Sequence, residues 1–432
     1  MREHALLLNI EVQFDRMAIR PGVCLAAAVR NSCTHKLEET SMQKIMKKLV
    51  PAMLLMPCIL YAQETLKVGA LVTLSGAGAA WGQAMLYGAE LAADDVNAKG
   101  GLDVAGKRYK IQVIAYDDKY QSSDAVTAVN RLIFDDKVKY IIGPMGSAPA
   151  LAVAPITERN KVIIMTLAFT AKALSSEKPF SFRPNLTTEE TSYPSIAWLV
   201  KHFNLKKVGA LFPNDESGQQ ISHDLEKAYA KAGSSLSSKE FFERQRVDMV
   251  PLLTRMIASG IDAIELDGNA PATAGLIVRQ AREMGFKGPI VRNGGPATPE
   301  IVAVAGKPAT EGMMVSSLTD PDNKAVAGYA KRYMDKYKKK MNGFSPAFYD
   351  GAHMLFLAVQ KAGTVTDSEK VRKELERIKE YPGIQGPLNW GGLSKYGINH
   401  QVESPFFISE VKEGQEVVRA RCNVNVCESV TR

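Results

Sequence analysis

Cysteine and histidine are scarce in this chain, and their scarcity narrows the chemistry it can carry. The 432 residues hold 5 cysteines and 6 histidines. Cys24, Cys33 and Cys58 fall within the first 62 residues, so only Cys422 and Cys427 remain beyond them. The later histidines, His202, His223, His353 and His400, stand at no metal-ligand spacing. No second ligand pair flanks the two late cysteines, which argues against zinc. The sequence has no nucleophile elbow and no P-loop. Aromatic residues are few, at 7%. After residue 62 no apolar run is long enough to span a bilayer. These gaps argue against an enzyme, although scattered loop residues could still hide one. No metal or cofactor is expected.

What is present reads as a folded, exported protein of two lobes. The length exceeds one typical domain, and the composition, 46% apolar and 23% charged, suits a globular chain. The net charge is +8. Residues 1–62 hold eight Lys/Arg and five Asp/Glu, which leaves 46 against 41 in the remainder. Basic clusters such as Lys336–Lys340 are short and read as a solvated helix face, so no nucleic-acid partner is expected. Lys44, Lys47 and Lys48 precede the apolar run Leu49–Leu60, and Tyr61-Ala62 offers a cleavage site, so residues 1–62 are expected to be leader and signal peptide. Met42 is a candidate true start. Pro57 beside Cys58 fits a lipidation signal poorly. Export would let Cys422 and Cys427 close a small loop, the alternative being two free thiols.

Along the chain, short strands alternate with helices. Leu66–Leu74 and Tyr109–Tyr116 read as strands, Gln83–Lys99 and Ser123–Phe134 as helices. The stretch 139–170 then runs strand, turn, helix, strand, turn, with Ser147 as expected N-cap. This βαβαβ order predicts an α/β fold with a parallel sheet covered on both faces. The pattern breaks near Phe182–Thr191 and starts again with helix Ile196–Phe203. The strand KVGALF at Lys207–Phe212 repeats KVGAL of Lys67–Leu71, which suggests two lobes built alike. Further strands are expected near 237–242, 263–266, 290–292 and 313–317, and helices over 218–232, 249–259, 272–284, 320–340, 344–363 and 368–379. Gly383–Gly397 reads as loop, and 402–418 as a hairpin around Glu413-Gly414.

Strand exits carry the candidate site. Parallel strands place their exit loops side by side, and helix N-termini there attract anions. Gly146 and Ser147 open one helix, and Ala168, Phe169 and Thr170 form the neighbouring exit, so a ligand carboxylate is expected between them. Ser75–Gly82 resembles a dinucleotide fingerprint but has Trp81 in place of the third glycine, which argues against a nucleotide. An exposed Trp81 would be either an aromatic wall for a ligand or a packing residue. In the second series the polar exits hold Ser217, Asp267 and Asn269, and Asn293-Gly-Gly295. Asp267 would either meet a cationic group of the ligand or cap the helix toward Ala272.

Taken together, the chain resembles the periplasmic substrate-binding proteins of branched-chain amino-acid-type ABC transporters. The resemblance rests on KVGALVTLSG with Trp81-Gly82, Gly88-Ala-Glu90, Val96-Asn97 through Gly100-Gly101, Tyr116-Asp-Asp118, Ala125–Leu132, Ile142-Gly143 with Ser147, Pro155-Ile156, Phe182-Arg183, Glu311-Gly312 and Tyr349-Asp350. It covers nearly all of residues 66–410. It implies a type I fold of two doubly wound parallel-sheet lobes joined by three hinge segments, one of 66–185 plus 318–380 and the other of 186–317 plus 381–432. It also implies an extracytoplasmic monomer that hands a small carboxylate ligand to an ABC permease in the inner membrane. The alternatives are a sensing receptor with a separate signalling partner, or a hydrolase on the same fold. The ligand-binding set it implies, with the exits above, is Trp81, Met145, Gly146, Ser147, Ala168, Phe169, Thr170, Ser217, Asp267 and Asn269. The family's second-lobe aromatic and acid are missing at Ser217 and near Gly294-Gly295. That leaves open an amino acid, with Asp267 as the replacement acid, or an aromatic or short organic acid.

Overall fold

Strand β1 (Glu64–Val72) buries every residue from Val68 to Val72, the mark of a strand covered on both faces. It lies between β3 (Lys107–Asp117) and β4 (Tyr140–Met145), parallel to both. β5 (Ile163–Leu167) and β6 (Ser181–Phe182) extend the sheet in parallel, and the short β2 (Leu102–Val104) closes the other edge antiparallel to β3. The order is β2-β3-β1-β4-β5-β6. Helices α1 (Ala79–Ala98), α2 (Ser122–Asn130) and α3 (Ser147–Arg159) make its connections. This computed structural model describes residues 64–430. The expected leader, with Lys44, Lys47, Lys48, Leu49–Leu60 and Cys58, lies outside the described residues. No described helix is long and apolar enough to cross a membrane.

The second sheet repeats the plan. β7 (Lys207–Pro213) lies between β8 (Ser235–Phe242) and β9 (Ala263–Glu265), followed by β10 (Ile290–Arg292) and β11 (Met314–Ser317), all parallel. Its helices are α4 (Thr188–Phe203), α5 (Glu216–Lys231), α6 (Val250–Ala258), α7 (Pro271–Glu283), α8 (Thr298–Ala305) and α9 (Lys307–Thr310). The chain then returns to the first sheet: α10 (Lys324–Tyr337) is ion-paired to α1 through Arg332 and Asp95, α11 (Phe344–Ala362) packs along α1, and α12 (Ser368–Glu376) packs on α11. A small antiparallel sheet follows, β12 (Tyr381–Gly383), β13 (Gly386–Gly391) and β14 (Gln401–Glu403). Last, β15 (Phe406–Lys412), β16 (Gln415–Cys422) and β17 (Cys427–Ser429) add antiparallel to β11, and a disulfide joins Cys422 to Cys427. The chain therefore passes between the sheets three times, and the first and third passes are tied together. Arg183 N donates to His400 O at 2.9 Å, and Val402 N to Arg183 O at 2.9 Å.

Several boundaries differ from expectation for local reasons. α1 begins at Ala79 rather than Gln83, so Trp81 sits in its first turn. α4 begins at Thr188 rather than Ile196, because Thr187 and Glu190 form a capping box in which the Glu190 carboxylate accepts the Thr187 N–H at 3.0 Å. Gly383–Gly397 is not all loop. It carries β13, whose Trp390 packs edge-on against Phe182 at 5.1 Å.

The KVGAL repeat marks equivalent strands, β1 and β7, and their following helices approach them in the same way. A Cβ on Gly82 of α1 would lie 1.8 Å from the Thr73 carbonyl oxygen, and one on Gly218 of α5 would lie 1.9 Å from that of Pro213. Only glycine permits either approach. Trp81 and Ser217, each one residue earlier, are thereby equivalent points of the two halves. Gly82→Ala and Gly218→Ala should each lower the unfolding free energy by about 1–3 kcal/mol, the cost of forced overpacking. Unchanged denaturant midpoints would show that these contacts relax freely.

Candidate functional site

In a doubly wound sheet the strand order reverses beside the first strand, and the loops leaving the carboxyl ends there diverge to open a crevice. The reversal lies between β1 and β4 in one sheet and between β7 and β9 in the other. The loops leaving these strands hold Trp81, Gly146 and Ser147 on one side, and Ser217, Asp267 and Asn269 on the other. Direct contacts show that the two sets face each other.

Ser147 is the meeting point. It is fully buried and is the first residue of α3, the N-cap being Gly146, so its hydroxyl does not cap the helix as expected. Ser147 Oγ instead accepts the N–H groups of Phe169 at 3.2 Å and Thr170 at 3.0 Å. Ser217 Oγ donates to it at 2.8 Å and accepts Ser147 N–H at 3.3 Å. A hydroxyl oxygen from the second lobe thus stands at a helix N-terminus, where an anion is favoured. Gly146 has φ +90, and a Cβ there would lie 2.5 Å from the Tyr120 ring, so glycine lets that ring close over the turn. Thr170 Oγ1 donates to Glu216 Oε1 at 3.2 Å, adding a second contact between the lobes.

Two buried arginines, neither among the expected site residues, brace the loops from behind. Arg183 Nη1 donates to the carbonyls of Ala168 at 2.8 Å and Thr170 at 3.2 Å, which leaves the amides of this loop to face Ser147. In the second lobe Arg292 donates to the carbonyls of Gly295 at 2.7 Å, Leu266 at 3.1 Å and Asn269 at 2.8 Å. Its guanidinium lies 5.6 Å from the Trp81 ring. Trp81 is 7% exposed, not the exposed residue expected, and its Nε1 donates to Pro296 O at 3.0 Å.

Asp267 is fully buried. Its Oδ1 accepts the N–H of Gly268 at 2.7 Å, while Oδ2 has no partner. The helix-capping alternative does not hold, because the N-cap of α7 is Ala270 with no side-chain cap. A Cβ on Gly294 would lie 2.8 Å from Asp267 Oδ2, so glycine there makes room for this carboxyl. Burial pushes the Asp267 pKa up to about 6 against the pull of Arg292, and burial with the Asp267 charge pushes neighbouring Glu265 to about 7. Asn269 spends its amide N–H groups on Leu211 O at 2.8 Å and Leu266 O at 2.9 Å.

Two cavities occupy the cleft. The inner one, of about 20 Å³, touches Ser217, Phe169, Gly146 and Asp267. The outer one, of about 320 Å³, touches Asn269 and opens past Lys119 and Arg246. Trp81, Tyr120, Met145 and Arg244 line both. A groove of about 700 Å³ elsewhere, between α4, α5 and the disulfide, lies away from the strand exits. Tyr120 and Arg244 were also missed from sequence. Both follow carboxyl ends of strands, β3 and β8, and that rule applied to every exit would have found them.

The periplasmic binding protein family matches residues 65–416. The chain is 25% identical over 328 residues to the Leu/Ile/Val-binding protein of Escherichia coli strain K12, across 76% of this chain and 87% of that one. Its fold is similar to that of a leucine-binding protein of Thermotoga maritima, with TM-score 0.73, 24% identity, and 83% and 99% of the two chains covered. It is similar as well to an ABC-transporter solute-binding protein of R. palustris in complex with benzoate, with TM-score 0.72, 19% identity, and 85% and 98% covered.

The raised pKa of Asp267 has a definite sign in stability. Between the open-chain value of about 4 and the folded value of about 6, the folded state holds the proton and the unfolded state has lost it. Its contribution therefore falls as pH rises through that window. Asp267→Asn should gain stability relative to the parent as pH rises from about 4 to 7, by about 1–3 kcal/mol, because each unit between the open-chain and folded pKa is worth about 1.4 kcal/mol. Denaturant unfolding at several pH values checks this, and a difference that stays constant with pH would contradict it.

Proposed function

This chain belongs to the periplasmic binding protein family over residues 65–416, and from that premise we propose that it is an extracytoplasmic solute-binding protein. It captures a small carboxylate-bearing ligand, an amino acid or an aromatic or organic acid, between its lobes and delivers it to an ABC importer. The observation that carries the reading is the convergence of the Phe169 and Thr170 amides on Ser147 Oγ, facing Ser217. Ser217 Oγ takes the Ser147 N–H in the way a carboxylate oxygen would. When a ligand enters, its carboxylate displaces Ser217 Oγ from the Ser147 N–H and hydroxyl, both of which then donate to it, the Thr170 N–H turns from Ser147 Oγ to the carboxylate, and Trp81, Met145 and Phe169 form the apolar wall.

The relatives support the same class of ligand. The Escherichia coli relative is named for leucine, isoleucine and valine, and the R. palustris structure holds benzoate. The unpartnered Asp267 Oδ2 supports a ligand with a hydrogen-bond donor opposite its carboxylate, such as an α-ammonium. Gly294 leaves that carboxyl its place.

The working motion is closure of two bodies, residues 66–185 plus 318–380 and residues 186–317 plus 381–432, about the three crossing segments. A ligand touching both lobes shifts the population toward the closed form that the permease recognises. The protein acts as a periplasmic monomer, exported by the leader, and binds its ligand without turning it over.

Calorimetric titration with benzoate and branched-chain amino acids tests the site. At a hundredfold excess over Kd, a true ligand should stabilise the protein by about 2.7 kcal/mol. Ser147→Ala should weaken its binding by about 1–3 kcal/mol, the size of a hydrogen bond to a charged group. Unchanged affinity would remove Ser147 from the site.

A further inference from the structure

The cleft is polarised along its depth, and nothing assigned so far uses the outer end. Asp267 is the one carboxylate lining the inner cavity. The outer cavity, of about 320 Å³, is lined by Lys119, Arg244 and Arg246 and by no aspartate or glutamate. Arg244 borders both.

Arg244 is built into position rather than left on a free surface. Its Nε is ion-paired with Asp215 Oδ2, while Asp215 Oδ1 accepts the N–H of Gly218 at 3.0 Å and so caps α5. Its guanidinium lies 4.3 Å from the Tyr120 ring, and Nη2 donates to Tyr120 Oη at 3.1 Å. Tyr120 Oη in turn lies 3.1 Å from Ser217 Oγ. These contacts use one edge of the fork and leave Nη1, and the second N–H of Nη2, without a protein acceptor. A guanidinium held on its anchored side by a carboxylate and a ring, with donors to spare, is a receptor for an oxyanion. Lys119, which is exposed and loosely ion-paired with Asp124 at 3.6 Å, and Arg246, whose Nε donates to Asp248 O at 2.7 Å, add positive charge at the rim. For a monocarboxylate seated at Ser147, these cations would have no partner on the ligand.

We propose that the ligand carries a second anionic group, bound at the cleft mouth by Arg244 with Lys119 and Arg246 around it, so that the preferred class is a small dicarboxylate. This rests on the reading of Ser147 as the anchor of the first carboxylate. Free acidic amino acids and aromatic or aliphatic diacids share the chemistry, and matched pairs separate them.

The test is calorimetric titration of the full protein with benzoate against terephthalate and with L-norvaline against L-glutamate. In at least one pair the diacid should bind tenfold or more tightly, a ratio of about 1.4 kcal/mol. That preference should shrink as salt rises from about 0.01 to 1 M, where screening shortens from about 30 to 3 Å. In R244Q the ratio within the pair should fall toward one. Arg244 touches both lobes through Tyr120, so if R244Q does not fold, the exposed pair K119Q/R246Q and the salt series on the parent carry the test. If neither diacid exceeds its monoacid while Ser147→Ala still weakens binding, this inference is overturned and the carboxylate-binding function stands. If no acid of either kind binds, both fail.

Discussion

The cleft depends on one arrangement, two backbone amides and a helix N-terminus meeting on a bonded pair of buried serine oxygens. Phe169 N, Thr170 N and the first turn of α3 all point at Ser147 Oγ or its neighbour. Backbone donors are fixed by the strands and helices that carry them, so an oxyanion there is met by dipoles that need no reorganisation. The cost is that such donors must be satisfied when buried. In this structure the Ser147 hydroxyl takes the Phe169 and Thr170 N–H groups from within its own lobe, and Ser217 takes the Ser147 N–H from across the cleft. The lobes can therefore close on themselves without stranding polar groups, and a carboxylate competes with a serine hydroxyl for the same donors.

The twin halves explain how this geometry is held. Each lobe brings a helix against the end of its first strand at a glycine, Gly82 or Gly218. In each, a buried arginine binds the carbonyls of the site loops, Arg183 in one and Arg292 in the other. Arg183 also belongs to the first crossing segment and is paired there with the third. The residue that orients the anion-facing amides thus sits in the strip of chain on which the lobes would turn. Loop orientation and lobe position share a covalent element, which gives ligand contact a physical route to the hinge.

Much of this was legible in the sequence, for reasons that vary with the residue. Tyr140–Ile142 of β4, Ile163–Leu167 of β5 and Val208–Phe212 of β7 are β-branched or apolar runs, the pattern of buried parallel strands. Ser147, Phe169 and Thr170 could be placed together because adjacent parallel strands align their exits. Glycine and alanine carry no periodicity, so the pattern of Ser75–Gly82 hides the start of α1 at Ala79 and with it the burial of Trp81. The start of α4 at Thr188 is written in the Thr187 and Glu190 capping pair, which the apolar stripe from Ile196 does not reach. Sequence alone allows Asp267 either a cap or a ligand contact, and only the position of α7, whose N-cap is Ala270, removes the cap. Tyr120, Arg244 and Arg292 sit in or beside polar turns where composition gives no sign of direction. Tyr120 and Arg244 gain their partners from segments 97 and 124 residues apart, and the strand-exit rule marks their place but not those partners; Arg292 binds carbonyls 3, 23 and 26 residues away.

A crystal structure of the protein with its ligand bound would test the central claim most directly. The account predicts a ligand carboxylate between the lobes, with oxygens about 2.7–3.2 Å from the N–H groups of Ser147 and Thr170 and with Ser217 Oγ moved off Ser147. A ligand held anywhere else on the molecule, with Ser217 still bonded to Ser147, would contradict it.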